Sequence, residues 1–398
     1  MSLYIQHGHG KSDKIDLAIE DGSANGIIFA ARNEKVEKLD HYLDQIIDPP
    51  SDLELLFDPQ FFVSVLTPAN DRYLGDYPYY TPARAAKDFI GSRKIAAYAK
   101  EVIDFQVERA FTRVVSPTVL VRSFSDQWSQ IGLQLADASI EYHESLDDKV
   151  PLLVKVLLSE SALDNRDELD SFLDVLTSWD VQGYHLVIAR DDPTYDQTMD
   201  PDRLAHLLYM IYVLADRNGF EVVCGYCDFI GIACLAAGAN AFANGWYQSL
   251  RQFHVKSFLK RKPGGSRALL RYSSGPLLTS LRLSELESIH DAGQLGSVLS
   301  GVPLDEFITN ASSPASSDWS AKLSERHHWQ TLSYISSVNS GEMRSDIIDL
   351  IRRVRSAQGL FTLLQAEGVP FDRNFQHGQQ YKDWLLGLQR FATLVGLS

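Results

Sequence analysis

Residues 220–250, FEVVCGYCDFIGIACLAAGANAFANGWYQSL, decide how the chain is read. An apolar run rich in β-formers, Glu221 to Gly225, ends in glycine, and a polar turn containing Asp228 opens a short helix. Gly238 closes that helix, and a second run, Ala241 to Gly245, again ends in glycine. Two strands joined by a helical crossover form a parallel βαβ unit.

The same alternation extends back to the N-terminus. β-rich runs fall at Leu3 to Gln6, Gly26 to Ala31, Leu53 to Phe57, Thr118 to Arg122, Leu152 to Leu158, Tyr184 to Ala189, Glu221 to Gly225 and Ala241 to Gly245. Eight runs separated by amphipathic stretches predict an α/β chain with a (β/α)8 TIM-type barrel over residues 1–255. The clearest helices are Asp167 to Trp179 and Asp200 to Asn218. In the second, Asp200-Pro201 caps the start, Leu204, Leu207, Leu208 and Ile211 form the stripe, and Asn218-Gly219 ends it. Residues 67–117 are too many for one connection and predict an insertion at the barrel mouth, with Tyr77 to Tyr80 as part of a lid. After residue 255 the alternation stops. A basic linker or extension is expected over 256–289 and a helical C-terminal domain over 290–398, with helical patterns at Met343 to Ala357, Gly359 to Glu367 and Tyr381 to Leu397.

Composition limits the function. The 398 residues carry 37 Lys and Arg against 52 Asp and Glu, a formal net charge of −15, which argues against coating nucleic acid or an anionic membrane with the whole surface. No run reaches the roughly 18 apolar residues of a membrane span, and the N-terminus lacks the pattern of a secretory signal. Cytoplasm is the expected location. Cys224, Cys227 and Cys234, odd in number and clustered, suit a reducing compartment and read as core residues rather than a zinc set.

The stretch quoted first resembles the last quarter of the phosphate-binding (β/α)8 barrels, in which a strand ending in glycine, a helix, a turn like Ala236-Ala237-Gly238-Ala239 and another glycine-ended strand frame an anion. The resemblance covers about thirty residues and implies that Gly225, Tyr226, Asn244 and Gly245 touch a phosphate. Those barrels usually have paired glycines where this chain has Gly225-Tyr226. The alternative reading is that the glycines serve tight turns only.

A second resemblance rests on His7-Gly8-His9, directly after the first strand. It is similar to the paired histidines of the metal-dependent amidohydrolase and polymerase-histidinol-phosphatase barrels, and implies a divalent metal with further ligands from later strand ends. No histidine at the end of the fifth or sixth run completes that set, and His185 lies early in its strand. Lys11 beside this pair is a candidate anion contact; Ile5 stands where a Walker A motif needs its first glycine. The four-ligand zinc set of the tRNA-guanine transglycosylases, barrels of this broad kind, has no counterpart.

The remaining candidates lie at strand ends, where such barrels carry their chemistry. Asp58, Glu160 and Asp228 are candidate acids, bases or nucleophiles, and Arg32, Arg122 and Arg190 candidate anion ligands. Rim ion pairs are the alternative. Lys155, within PLLVKVLLSE, is a candidate Schiff-base lysine if its face of the strand points inward, which alternation alone leaves open. The block Arg251 to Arg271 is a candidate patch for nucleotide or nucleic-acid phosphates, or a solvated linker. Three functions follow: a barrel enzyme acting on a phosphorylated, nucleotide-like or nucleic-acid substrate; a non-catalytic barrel subunit of a larger protein or nucleic-acid complex, joined through the helical C-terminal domain and the basic segment; or a metal-dependent hydrolase using His7 and His9.

Overall fold

The computed structural model describes residues 2–9, 13–46, 53–147, 149–191, 196–260, 269–371 and 377–397. Eight strands, β1 (Ser2–Gln6), β2 (Gly26–Ala30), β3 (Glu54–Asp58), β4 (Val114–Val115), β5 (Leu152–Ser159), β6 (Gly183–Ala189), β7 (Glu221–Gly225) and β8 (Ala241–Asn244), form one sheet. Every ladder pairing is parallel, in the order β3-β2-β1-β8-β7-β6-β5-β4, so the sheet curls into a nearly closed (β/α)8 barrel. Between the strands run helices α1 (Lys14–Glu20), α2 (Val36–Gln45), α3 (Ser92–Val107), α4 (Gln127–Glu144), α5 (Arg166–Leu176), α6 (Pro201–Tyr212) and α7 (Ile230–Ala236).

The fourth strand differs from the sequence expectation. The ladder forms at Val114–Val115, and of the run Thr118 to Arg122 only Val121 pairs, in an isolated bridge to Leu158. Pro117 lies between the two pieces and has no N–H to continue the ladder. The wall between β3 and β4 is correspondingly thin, with the Thr112 amide bonding the Leu55 carbonyl at 2.9 Å and the Thr112 hydroxyl accepting from the Leu55 amide at 2.8 Å.

Side chains fill the interior in layers, as closed barrels of this size require. At the N-terminal end Arg113 bridges Glu54 at 3.2 Å and Glu221 at 3.3 Å. Above it lies an apolar layer that includes Ile28, Leu56, Leu153, Val223, Ala241 and Ala243. Period-two alternation from that layer places Gln6, Asp58, Lys155 and His185 in the next one, toward the C-terminal mouth. Lys155 therefore faces inward. Strand stagger sets His185 opposite Lys155 in the ladder, in mid-barrel rather than toward the far end.

After β8 the ring helix is only one turn, α8 (Gln248–Arg251), and later segments complete the wall. A hairpin of β9 (Arg271–Ser274) and β10 (Thr279–Arg282) precedes α9 (Leu283–Asp291), α10 (Leu295–Val298), α11 (Glu306–Thr309), α12 (Ala321–Ser337), α13 (Met343–Ala366) and α14 (His377–Leu394). The hairpin has no counterpart in the sequence reading, and the two patterns Met343 to Ala357 and Gly359 to Glu367 form one helix, since Gly359 sits in an α conformation without a break. Helix α12 packs against α1, β1 and α7, where an eighth ring helix would lie. Ion pairs Lys14–Glu325 (2.8 Å) and Arg326–Asp21 (2.7 Å) hold it there. Helix α14 lies along α6, with Gly387 allowing the backbone to approach Leu204.

Two adjacent histidines on α12 lock these segments to the barrel. His328 bonds the Ser273 hydroxyl at 2.7 Å through Nδ1 and faces Asp228, just after β7, at 3.2 Å through Nε2. His327 meets Asp305 at 2.8 Å, and Asp305 also accepts from the Tyr272 hydroxyl at 2.6 Å. Burial, assisted by the nearby Arg251 charge, pushes His328 down to about 4 despite Asp228, and burial followed by the Lys155 charge pushes His185 down to about 3.

Both rings are therefore neutral in the folded chain at pH 7, whereas in the unfolded chain they protonate near 6.5. The unfolded state binds more protons below that value, so stability is complete above pH 6.5 and is lost as pH falls toward 4, each histidine contributing up to about 1.4 kcal/mol per pH unit. Thermal melting between pH 7.5 and 4 will show this decline. His328→Gln, which keeps an amide for Asp228 but does not titrate, will flatten it; an unchanged slope would contradict the assignment.

Candidate functional site

At the C-terminal mouth a cavity of about 460 Å³ opens between the ends of β1, β2, β3, β7 and β8. Arg32, Asn33, Gln60, Arg72, Tyr226 and His9 supply its polar lining, and Tyr247 and Phe258 its aromatic surface. Among the described lining residues none is Asp or Glu.

Local chain geometry explains how these groups converge. Residues leaving β3 run over the mouth in 3-10 turns, and the segment after α8 comes back to meet them. Asn70 N–H bonds the Phe258 carbonyl at 2.8 Å, Lys260 N–H bonds the Pro68 carbonyl at 3.1 Å, and Ala69 pairs with Leu259. Arg32 is locked at this junction, donating from Nε to Asn70 O at 2.6 Å and from Nη2 to Ser257 O at 2.9 Å, with its guanidinium 4.7 Å from the Phe258 ring centre. Arg72, by contrast, is exposed at the rim.

Backbone conformation marks the same place. Five non-glycine residues among those described have a left-handed φ, and three of them, Gln60 (48°), Arg72 (47°) and Tyr226 (56°), line this cavity. Such conformations cost about 1–3 kcal/mol each and persist where the surroundings impose them. At Tyr226 the backbone takes the form that a second glycine would favour, but carries a phenol ring.

Beneath the floor lies the polar layer. Lys155 Nζ donates to Asp58 Oδ1, both side chains being almost fully buried, and the Gln60 amide donates to the same oxygen at 3.0 Å. Gln60 Nε2 then donates to the Tyr226 hydroxyl at 3.1 Å, and its Oε1 accepts from the Arg32 amide at 3.0 Å. One chain of contacts thus joins cavity and interior. Burial lowers the Lys155 amine from its usual value while the Asp58 charge opposes the shift. Burial and the Asp58 charge hold the Tyr226 phenol well above its usual range, so it stays protonated. Within the layer, both ring nitrogens of His185 and both polar atoms of the Gln6 carboxamide have no hydrogen-bond partner among the described residues, and the Tyr226 hydroxyl lies beside the Asp58 carboxylate.

The other residues singled out from sequence are spread around the barrel. Glu160 meets Arg190 at 2.5 Å and Arg203 at 3.5 Å in a rim ion-pair cluster with Asp164 and Asp191. Asp228 faces His328 below α12, and Arg122 is exposed after β4. The three carboxylates Asp58, Glu160 and Asp228 therefore have separate partners. Gly225 leaves room for the His185 ring, since a Cβ there would lie 2.6 Å from Nε2. The Gly245 amide bonds the Leu250 carbonyl at 3.2 Å, and Asn244 Nδ2 donates to the Cys227 carbonyl at 2.7 Å. His7 is buried among Phe29, Tyr42 and Trp246 with Glu34 3.8 Å away, whereas His9 is exposed in the cavity lining. No group of three close metal-ligating side chains among the described residues includes either histidine; the group that does form, Glu287, His290 and Asp291, lies on α9. Lys11 and, in the basic block, Arg261, Lys262 and Arg267 lie outside the described residues. Tyr77 and Tyr79 pack on Phe57 and Phe105 instead of filling the mouth.

Sequence reasoning placed Gln60 among the polar strand-end groups, but missed Asn70, Arg72, Tyr247 and Phe258 as lining, and Gln6 as an interior polar group. Their only signal was position, in the long β3–α3 stretch, after β8, or at a strand end. No protein-family model matches the chain, and no curated protein is significantly similar to it.

Breaking a buried ion pair leaves one charge uncompensated at a cost of about 3–5 kcal/mol. Lys155→Met should lose that much stability in urea unfolding, and Lys155→Met combined with Asp58→Asn should regain a large part of it. A single variant within about 1 kcal/mol of the parent would contradict the pair.

Proposed function

We propose that this chain is a (β/α)8 enzyme that takes a phosphorylated, nucleotide-sized small molecule into the cavity at its C-terminal mouth. The carrying observation is the lining: Arg32, Arg72 and His9 face a space with no Asp or Glu among its described lining residues, in a chain whose net charge is −15. About 460 Å³ suits a ligand of that size, as small-molecule sites typically measure about 300–1,000 Å³. The exposed Arg72 guanidinium offers a fork that matches phosphate oxygens, Arg32 adds a fixed positive charge although its Nε and Nη2 already bond backbone carbonyls, and Tyr247 and Phe258 offer flat apolar faces to a sugar or base. The part of the basic block that is described supports a small ligand over a long polymer, because Ser257, Phe258 and Leu259 wall the cavity.

A scaffold role is the second reading. It draws on the engagement of Glu160 by Arg190 and Arg203, of Asp58 by Lys155 and of Asp228 by the neutral His328 ring, which gives all three strand-end carboxylates a partner within the chain. That reading requires no small-molecule binding at the mouth.

Isothermal titration with adenosine 5′-monophosphate and ribose 5-phosphate, against adenosine and ribose, separates the two. The phosphorylated compounds should bind, their unphosphorylated partners at least about tenfold more weakly, and Arg72→Ala should cost about 1.5–3 kcal/mol of the phosphate ester's affinity. Equal binding of both kinds, or none, would contradict the proposal.

A further inference from the structure

Lys155 is the one charged side chain in the run Leu152 to Ser159, and the fold turns it into the barrel rather than toward the helices. An ammonium has three protons to donate. Asp58 Oδ1 takes one, and the face of Phe62, 5.6 Å away, lies nearby. Around the pair stand groups without partners among the described residues, the two ring nitrogens of His185 and the Gln6 carboxamide, and the Tyr226 hydroxyl lies beside the Asp58 carboxylate. Burying polar atoms in this way opposes folding, and four strands, β1, β3, β5 and β6, contribute side chains to the layer. Such a layer is complementary to a small polar group with acceptors and donors of its own. It sits directly under Gln60 and Tyr226, which belong both to the cavity lining and to the contacts reaching Asp58.

We propose that Lys155 is a Schiff-base nucleophile for a phosphorylated aldehyde or ketone, whose phosphate is held by Arg32 and Arg72 while its carbonyl reaches the layer between Gln60 and Tyr226. The proposal rests on the anion-binding reading of the cavity. Asp58 takes the ammonium proton, which frees the nitrogen lone pair. The nitrogen attacks the carbonyl carbon as the C=O π pair moves to oxygen, and that oxygen takes the proton which the now cationic nitrogen gives up, giving a neutral carbinolamine. The hydroxyl then takes the proton held by Asp58 and leaves as water, and the nitrogen pair forms the C=N bond of an iminium on Lys155. The Tyr226 phenol, kept protonated, donates a hydrogen bond to the carbonyl oxygen as it gains charge. Burial makes the neutral amine accessible, and the left-handed backbones of Gln60 and Tyr226 place a strained partition where the carbonyl must enter.

The test is borohydride trapping with two matched acyclic probes, glycolaldehyde phosphate and glycolaldehyde, used at limiting concentration and followed by peptide mapping. Reduction of the iminium leaves a stable secondary amine. The expected result is one adduct per chain, mapped to Lys155, formed at least tenfold faster with the phosphorylated probe and blocked by prior addition of inorganic phosphate. Lys155→Met should remove it, and because that variant loses stability, the site in the unmodified sequence decides. Adducts confined to other lysines, or none with either probe, overturn the proposal. If glycolaldehyde phosphate binds calorimetrically yet Lys155 stays unlabelled, the nucleophile fails and the anion site stands. If Lys155 is labelled equally by both probes, the nucleophile stands and the anion site fails.

Discussion

One ion pair inside the barrel, Lys155 to Asp58, crosses the wall that the backbone leaves thinnest. Strand β4 offers two ladder residues, and β3 meets it through a pair of hydrogen bonds around Thr112 and Leu55. Side chains finish the closure. Arg113 ties Glu54 to Glu221 near the N-terminal end, and Lys155 ties β5 to β3 near the mouth. A buried pair gives little net stability over apolar packing, because both charges give up water. Its value lies in being costly to break, which fixes where β3 ends and therefore where Gln60 begins its left-handed turn.

From that turn the candidate site follows. Gln60 bonds Asp58 below, Tyr226 across the barrel and the Arg32 amide at the neighbouring strand end, so one residue ties three strand ends to the buried pair. The polar layer beneath is expensive by the ordinary rules for interiors, since burying carboxamide and imidazole atoms without partners opposes folding. The rest of the molecule offsets it with an extensive apolar core and with α12, which replaces a missing ring helix and anchors through His327 and His328. Concentrating unmet polar atoms and left-handed backbones at one end of a barrel is the arrangement expected where function opposes stability.

Much of this was legible in the sequence, for identifiable reasons. Seven of the eight strands fall within about two residues of the apolar runs, because strands buried on both faces read as continuous β-branched stretches. The fourth misled because Pro117 splits it and its better run lies after the proline. The strand-end rule selected Arg32 and the resemblance to phosphate-binding barrels selected Tyr226, both of which do line the cavity; the same rule also selected Glu160 and Arg190, which pair with each other, and Asp228, which faces His328. Spacing carries no information on which of these a distant segment will meet: His328 lies a hundred residues after Asp228. Nor could alternation say which face of β5 points inward, or show that Gln60, Arg72 and Tyr226 adopt conformations usually left to glycine.

The central claim is that the cavity holds the phosphate of a small molecule, and a crystal structure of the chain soaked with ribose 5-phosphate tests it most directly. The account predicts phosphorus density in the mouth cavity within hydrogen-bond reach of the Arg32 and Arg72 guanidinium groups, with the sugar against Tyr247 or Phe258. Density at any other site, or an unchanged cavity at saturating ligand, would contradict it.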